Sequence, residues 1–347
     1  MSDAARGVDL RALASWMDEQ GLPRGPIVEM EPLSGGTQNI LLVFTKGGAR
    51  YVMRHPPPHK RANSDETMRR EARVLAALAT TDVPHPRLIA ACGDTAVLGS
   101  AFYLMEPVEG VNPTVALPPP YVEHERWRWE LGLAMADGAA SIGAVDYVGL
   151  GLADLGKADG FLDRQVKRWQ QQLDSYSQLD GYPGPDIPGV DRVAAWLDAN
   201  RPSSWEAGLI HGDFHFANVL CAVDRPGLAA IVDWELTTIG DPLLDLGWLL
   251  ATWPGIEGSP TGTGSSLAQL GGLPTPADLV RRYGERSTRD LTSIPWYQVL
   301  ACYKLGIILE GTYARALAGQ APMATGEQLH ASTLGLFERG LRLIASA

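Results

Sequence analysis

The sequence has three cysteines among its 347 residues, Cys92, Cys221 and Cys302, and none in a Cys-x-x-Cys spacing. An odd, unspaced set excludes a disulfide framework and a zinc knuckle, and a reducing cytoplasm is the expected setting. Basic residues are also in short supply: 29 Lys and Arg stand against 40 Asp and Glu, a net charge of −11. That deficit argues against an extended nucleic-acid footprint, so no nucleic-acid partner is expected. Apolar runs fall short of the ~20 residues that span a bilayer. The longest, around Leu243 to Trp253 and Val299 to Leu309, carry Asp245 and Lys304 and read as buried helices. No membrane partner is expected. The opening stretch, MSDAARGVDLRALASWMDEQ, has no signal-peptide core, and Asp3 and Asp9 stand where such a peptide is basic.

What the chain does have is 45% apolar residues, enough for a sizeable core in one large or two linked domains. Charge divides it. Residues 1–104 carry 12 basic and 11 acidic side chains, whereas residues 105–347 carry 17 and 29, so the two parts are expected to meet different ligands. After a first helix, marked by Leu10, Leu13, Trp16 and Met17, short β-like runs follow at Ile27 to Leu33, Ile40 to Phe44 and Tyr51 to Arg54. Ser34-Gly35-Gly36-Thr37 and Lys46-Gly47-Gly48 separate them, the pattern of antiparallel hairpins. A helix from about Ser64 to Ala79 interrupts the strands, with Asp65 and Glu66 in its first turn, and a strand from Ala101 to Met105 is expected to close the sheet. Met105-Glu106-Pro107-Val108-Glu109-Gly110 then breaks regular structure, which sets a boundary at residues 105–110. Beyond it the pattern is mainly helical, apart from a β-rich patch (Gly208 to Cys221, Ala229 to Trp234) and two Pro/Gly segments. The second of these, Pro254 to Pro276, is long and expected to be mobile.

The densest polar cluster is His211-Gly212-Asp213-Phe214-His215-Phe216-Ala217-Asn218, followed by Ile231-Val232-Asp233-Trp234-Glu235. Asp213, Asn218 and Asp233 offer oxygen donors for a hard cation between short apolar strands. Asp213 can take a hydroxyl proton while Asn218 and Asp233 share a magnesium ion, which is phosphoryl-transfer chemistry. The same residues also permit plainer roles. Asp213 and Asn218 can cap a buried loop, and His211, Asp213 and His215 can be read as a metal-hydrolase set, although no further His/Cys pair has ligand spacing. A cation on the strand after the Gly-rich hairpin should pair with a carboxylate on the next helix, and Arg54 and Glu71 fit. Glu235 can serve a second magnesium. Asp241 and Asp245 read as acceptors for backbone N–H groups. Arg164, Lys167 and Arg168 fall on one helix side, and Trp127, Trp129, Trp169 and Trp248 read as packing.

His-Gly-Asp, four residues, Asn, then Ile-Val-Asp resembles the catalytic and metal loops of the aminoglycoside phosphotransferase family, and Gly240-Asp241-Pro242-Leu243-Leu244-Asp245-Leu246-Gly247 resembles its following segment. The resemblance implies an α+β, bilobal protein-kinase-like fold. An antiparallel-sheet nucleotide-binding lobe would span residues 1–104, a hinge residues 105–110 and a mainly helical catalytic lobe residues 111–347. It implies Asp213 as catalytic base and Asn218 and Asp233 as magnesium ligands. Ser34, Gly35, Gly36, Thr37 and Gln38 would cover the phosphates of ATP, or of GTP as the alternative donor, and Met105, Glu106 and Pro107 would meet the base. The family more often has Lys where Arg54 stands, and a planar guanidinium holds a phosphate with different geometry. Arg54 with its following prolines, and Arg164 to Trp169, look most like the branch also found fused to acyl-CoA dehydrogenases. The expected activity is phosphorylation of a small-molecule hydroxyl, either on a cationic aminoglycoside or on a hydroxyacyl compound. A nucleotide-binding module without turnover is the alternative.

Overall fold

The computed structural model describes residues 8–33, 39–57, 60–255 and 266–347. Helix α1 (Leu10–Glu19) opens the chain, its first turn capped by Asp9, whose carboxylate accepts the N–H groups of Arg11 and Ala12. Then come β1 (Ile27–Pro32), β2 (Ile40–Lys46), β3 (Ala49–His55), helix α2 (Ser64–Leu78), β4 (Leu88–Cys92) and β5 (Phe102–Met105). These strands form one antiparallel sheet in the order β1-β2-β3-β5-β4. The strand ending at Met105 is therefore interior. The edge belongs to β4, whose short run Leu-Ile-Ala-Ala-Cys follows a proline and carries too little alternation to announce itself.

The period of two in a strand sends alternate side chains to opposite faces. Tyr51 and Met53 of β3, with Phe102 and Leu104 of β5, pack against Leu13, Trp16 and Met17 of α1. Arg54 of β3 and Tyr103 of β5 are register partners on the other face, where α2 supplies Met68, Glu71, Ala72 and Leu75. The sheet is thus covered by an apolar helix on one side and reserves polar groups for the other.

The rest of the chain is mainly helical: α3 (Pro119–Glu123), α4 (Glu125–Gly143), α5 (Gln165–Ser175), α6 (Val190–Ala199), α7 (Leu243–Ala251), α8 (Ser266–Leu270), α9 (Pro276–Arg286), α10 (Ile294–Leu317) and α11 (Met323–Ser346). Residues 256–265 of the segment expected to be mobile lie outside the described residues, and α8 forms within that segment. Two small antiparallel pairs carry the loops of interest. They are β6 (Gly208–Ile210) with β9 (Thr238–Gly240), and β7 (Val219–Cys221) with β8 (Leu228–Ile231). Residues 211–218 run from β6 to β7, and residues 232–237 from β8 to β9. Helix α7 lies close against α10: a Cβ at Gly247 would stand 2.7 Å from the Tyr297 carbonyl oxygen.

Candidate active site

Two short antiparallel strand pairs bring the polar cluster to one cleft of about 710 Å³, lined among others by Arg54, Asp213, Asn218, Asp233, Glu235, Trp248 and Lys304. The loop after β6 is held from behind by Asp245, fully buried at the first turn of α7. Its Oδ2 accepts the N–H of His211 at 2.6 Å and its Oδ1 that of Gly212 at 2.9 Å. Burial raises the Asp245 carboxyl above its ordinary range, against the pull of His211 and the two backbone N–H groups. Gly212 turns the chain with φ +87°, a conformation suited to glycine, and any Cβ there would stand 2.7 Å from the Leu236 carbonyl oxygen.

That turn delivers Asp213. Its Oδ1 accepts the indole N–H of Trp248 at 2.9 Å and lies 3.3 Å from His215 Nε2, while its Oδ2 accepts Asn218 Nδ2 at 3.0 Å. Burial works against the Asp213 charge, but His215, His211 and Lys304 outweigh it and hold the carboxyl at about 2. The group is ionised throughout the neutral range. Asn218 uses Nδ2 on Asp213, which directs its carbonyl oxygen elsewhere. His211 is not a metal ligand here. Its Nε2 meets the Val232 carbonyl at 3.0 Å and its Nδ1 accepts the Asp213 N–H at 3.3 Å, so both ring nitrogens hold the loop. Among the described residues, no group of three or more His, Cys, Asp or Glu side chains is arranged to enclose a metal, so His211, Asp213 and His215 do not form a ligand set of that kind.

Asp233 follows β8 with φ +67°, left-handed geometry that a non-glycine residue adopts at a cost and that clusters at functional sites. Its Oδ1 meets Arg54 Nη2 at 2.6 Å. Arg54 also pairs through Nε with Glu71 Oε2 at 3.1 Å and approaches Glu235 Oε2 at 3.5 Å. The expected strand-to-helix pair is formed, and Glu71 goes further, accepting the Trp234 N–H on Oε1 at 3.1 Å. Burial opposes the Arg54 charge, but Glu71, Tyr103 and Asp233 overcome it and raise its pKa. Glu71 is pushed up to about 7, by burial first and then by Asp233 and Glu235, with Arg54 pulling the other way. Burial and Asp233 likewise raise Glu235, which accepts Asn39 Nδ2 at 3.1 Å. Three carboxylates around one guanidinium leave surplus negative charge. Asp233 and Glu235, with Asn218 lining the same cleft, are oxygen donors of the kind magnesium uses, since that ion takes one or two carboxylates and completes its shell with water and substrate phosphates.

Other expected site residues stand apart. Ser34, Gly35, Gly36, Thr37 and Gln38 lie outside the described residues. Met105, Glu106 and Pro107 leave β5 outside the lining of the cleft, with Glu106 paired to Arg87. Of the three cations expected on one helix side, Arg164 turns back to the carbonyls of Asp159 and Lys157, Lys167 is exposed, and only Arg168 lines the cleft.

Two side chains escape the sequence reading. Trp248 is read there as packing, yet its N–H grips Asp213. Lys304 is read there as a charge inside a core helix, yet its Nζ lies over the Trp248 ring, 4.2 Å from the centroid, and donates to the Gly212 carbonyl at 3.0 Å. A lone lysine in an apolar run was the available signal, since burying one is costly unless it has partners.

Residues 29–280 match the model of the family described as "Phosphotransferase enzyme family". The chain is 31% identical over 333 residues to chicken "Acyl-CoA dehydrogenase family member 11", covering 93% of this chain and 41% of that protein. The chain therefore spans about two fifths of the length of that curated relative. Among solved structures, a Ralstonia eutropha protein named "putative aminoglycoside phosphotransferase" superposes with a TM-score of 0.78 at 29% identity, over 96% of this chain and 99% of that one. A thermostable mutant of an aminoglycoside phosphotransferase in ternary complex with ADP and hygromycin B shares the fold, with a TM-score of 0.59 at 15% identity over 96% and 98% of the two chains.

Proposed function

This chain belongs to the phosphotransferase enzyme family, and on that premise we propose that it transfers the γ-phosphoryl group of ATP, with magnesium, to a hydroxyl of a small molecule. The observation that carries the reading is the meeting of Asp213, Asn218 and Asp233 at one cleft with the Arg54–Glu71 pair. Phosphoryl transfer asks a protein for positioning and charge stabilisation more than for covalent chemistry. Asp213, ionised and held at both oxygens, orients the acceptor hydroxyl and receives its proton as the new bond to phosphorus forms. Asn218 and Asp233 hold magnesium, and Glu235 is available to a second ion. When bound, the metal neutralises charge on the phosphates. Arg54, aimed by Glu71, faces the phosphates that are not transferred. Ser34 to Gln38 and Met105 to Pro107 keep the phosphate and base roles that the family resemblance implies, the latter from outside the lining of the cleft that holds Asp213.

The wall beyond Asp213 favours an anionic, partly apolar acceptor over a polycation. Arg168 and Lys304 lie 5.4 and 5.6 Å from the ring centre of Trp169, and exposed Val115, Leu236 and Ile308 line the same cleft. Among the described lining residues, the carboxylates are Asp213, Asp233, Glu235 and Asp245, all on the two loops or behind them. A hydroxylated acyl compound, free or carried on coenzyme A, suits this wall, and the acyl-CoA dehydrogenase name of the relative agrees.

A thermal-shift titration with ATP, GTP and magnesium, separately and together, tests the donor side, because a ligand that binds only the folded state raises Tm. A magnesium-dependent rise is expected; no rise at millimolar nucleotide overturns the reading. ADP release with hydroxyacyl acceptors tests the other side, and release with aminoglycosides alone would reverse the acceptor assignment. The engagement of Arg54 with Glu71, Asp233 and Glu235 favours one competing reading, a nucleotide-binding module without turnover. Its mark would be a thermal shift with no ADP release from any acceptor.

A further inference from the structure

We propose that Lys304 is a positioning residue for phosphoryl transfer. From the middle of α10 it fixes both the Trp248 ring and the Gly212 peptide, and through them the carboxylate of Asp213. The proposal rests on the kinase reading above and adds a side chain that lies 91 residues along the chain from Asp213.

Two routes lead from Lys304 to Asp213. The first runs through the backbone: Lys304 Nζ donates to the Gly212 carbonyl at 3.0 Å, while Asp245 Oδ1 accepts the N–H of the same residue at 2.9 Å. The residue immediately before Asp213 is therefore gripped by opposite charges at its two polar groups. The second runs through Trp248. Its indole is 5% exposed, carries the Lys304 ammonium over its face at 4.2 Å, and donates its N–H to Asp213 Oδ1 at 2.9 Å. A cation over an indole face is attracted to the ring, and its field draws electron density away from the N–H edge, which strengthens that donor. Both routes act on one carboxylate oxygen set, whose other member is held by Asn218 at 3.0 Å.

The neighbours of Lys304 on its own helix make an incidental charge an unsatisfying account. Leu300, Ala301 and Leu305 around it are buried and apolar, and a lysine placed among such residues carries a desolvation penalty that its contacts must offset. The Gly212 carbonyl engages one of the three ammonium donors, and the Trp248 ring meets the charge. The stacking on Trp248, and through it the link to Asp213, is the surplus that a positioning role explains.

The test uses the full chain with indole-¹⁵N-labelled tryptophan. The Trp248 resonance is identified by its loss in Trp248→Phe, and Asp213→Asn supplies the direction in which it moves when the carboxylate partner is lost. Lys304→Met is expected to move that resonance in the same direction. It should also lower MgATP hydrolysis to water by about tenfold or more while leaving KM for ATP within about twofold, the signature of an interaction used in the transition state. Lys304→Arg should restore most of both. An unmoved resonance in Lys304→Met overturns the proposal. So does recovery of resonance and rate in Lys304→Gln, which can still donate to Gly212 but brings no charge to the ring. If Lys304→Met does not fold, the Arg and Gln variants carry the same comparison. The resonance is read without nucleotide, so it decides the role of Lys304 even where an absent thermal shift overturns the kinase reading.

Discussion

The two walls of the cleft solve opposite charge problems. Beside β3, three carboxylates, Glu71 of α2 with Asp233 and Glu235 of the loop after β8, crowd one guanidinium, that of Arg54. On the helical side, two cations, Arg168 and Lys304, crowd one indole, that of Trp169. The acidic wall is the one proposed to meet a polyanionic nucleotide. In the proposed function the phosphates arrive with divalent cations, which become the largest local charges and reverse the sign of what the protein must supply. The basic wall has no such intermediary and would meet its ligand directly, so it is the better guide to ligand charge.

The comparison can be broken most severely at its border. Asp213→Ala removes the group that serves both walls, and turnover should fall by about 10²- to 10⁴-fold while ATP binding changes by no more than a few-fold. Steady-state ADP release and calorimetry with ATP check this; near-normal turnover would dismiss Asp213 as the base. On the acidic wall, Asp233→Asn should weaken MgATP by about 10- to 100-fold and leave metal-free ATP bound as well as before, because only the cation needs that carboxylate. Titrations with and without magnesium separate the two. On the basic wall, Arg168→Met should raise KM for an anionic acceptor by about tenfold with KM for ATP unchanged. An equal effect on both constants would mean that the walls are not separate.

The smallest effect concerns pH. Glu71 titrates at about 7 in the folded chain, above its ordinary value, so the stability it contributes is complete in acid and lost as pH rises through about 7. Glu71→Gln should flatten the fall in Tm between about pH 5 and pH 8 by a few degrees. Magnesium should do part of the same to the unaltered chain, since a cation near Asp233 and Glu235 relieves the repulsion that helps raise Glu71. Parallel curves for the two proteins would remove Glu71 as the source of the slope.

What the sequence discloses depends on how far apart the partners lie. Asp213 and Asn218 share one loop, so their five-residue spacing is visible, and the family resemblance and α+β kinase-like fold it suggests are borne out. Arg54 and Glu71 are 17 residues apart, but strand and helix patterning were enough to pair them. Trp248 and Lys304 reach Asp213 from α7 and α10, 35 and 91 residues away, and each sits in a run whose apolar pattern belongs to the core. No local rule distinguishes a tryptophan that packs from one that also donates a hydrogen bond at its far edge. The place of β5 inside the sheet was hidden for a related reason. Strand order is a property of long-range pairing, and the weakly patterned β4 supplies the missing edge.

Helix α2 is fastened to the segment after Asp233 by more than the Arg54 pair. Glu71 takes the Trp234 N–H, Arg70 donates to the carbonyls of Thr237 and Leu155, and Arg73 reaches Asp154. Kinase-like catalysts that are regulated commonly idle by swinging this helix away from the metal loop. Here such a swing would have to release the Trp234 and Thr237 contacts together with those to residues 151–155, so α2 and the loop that carries Asp233 are joined as one unit.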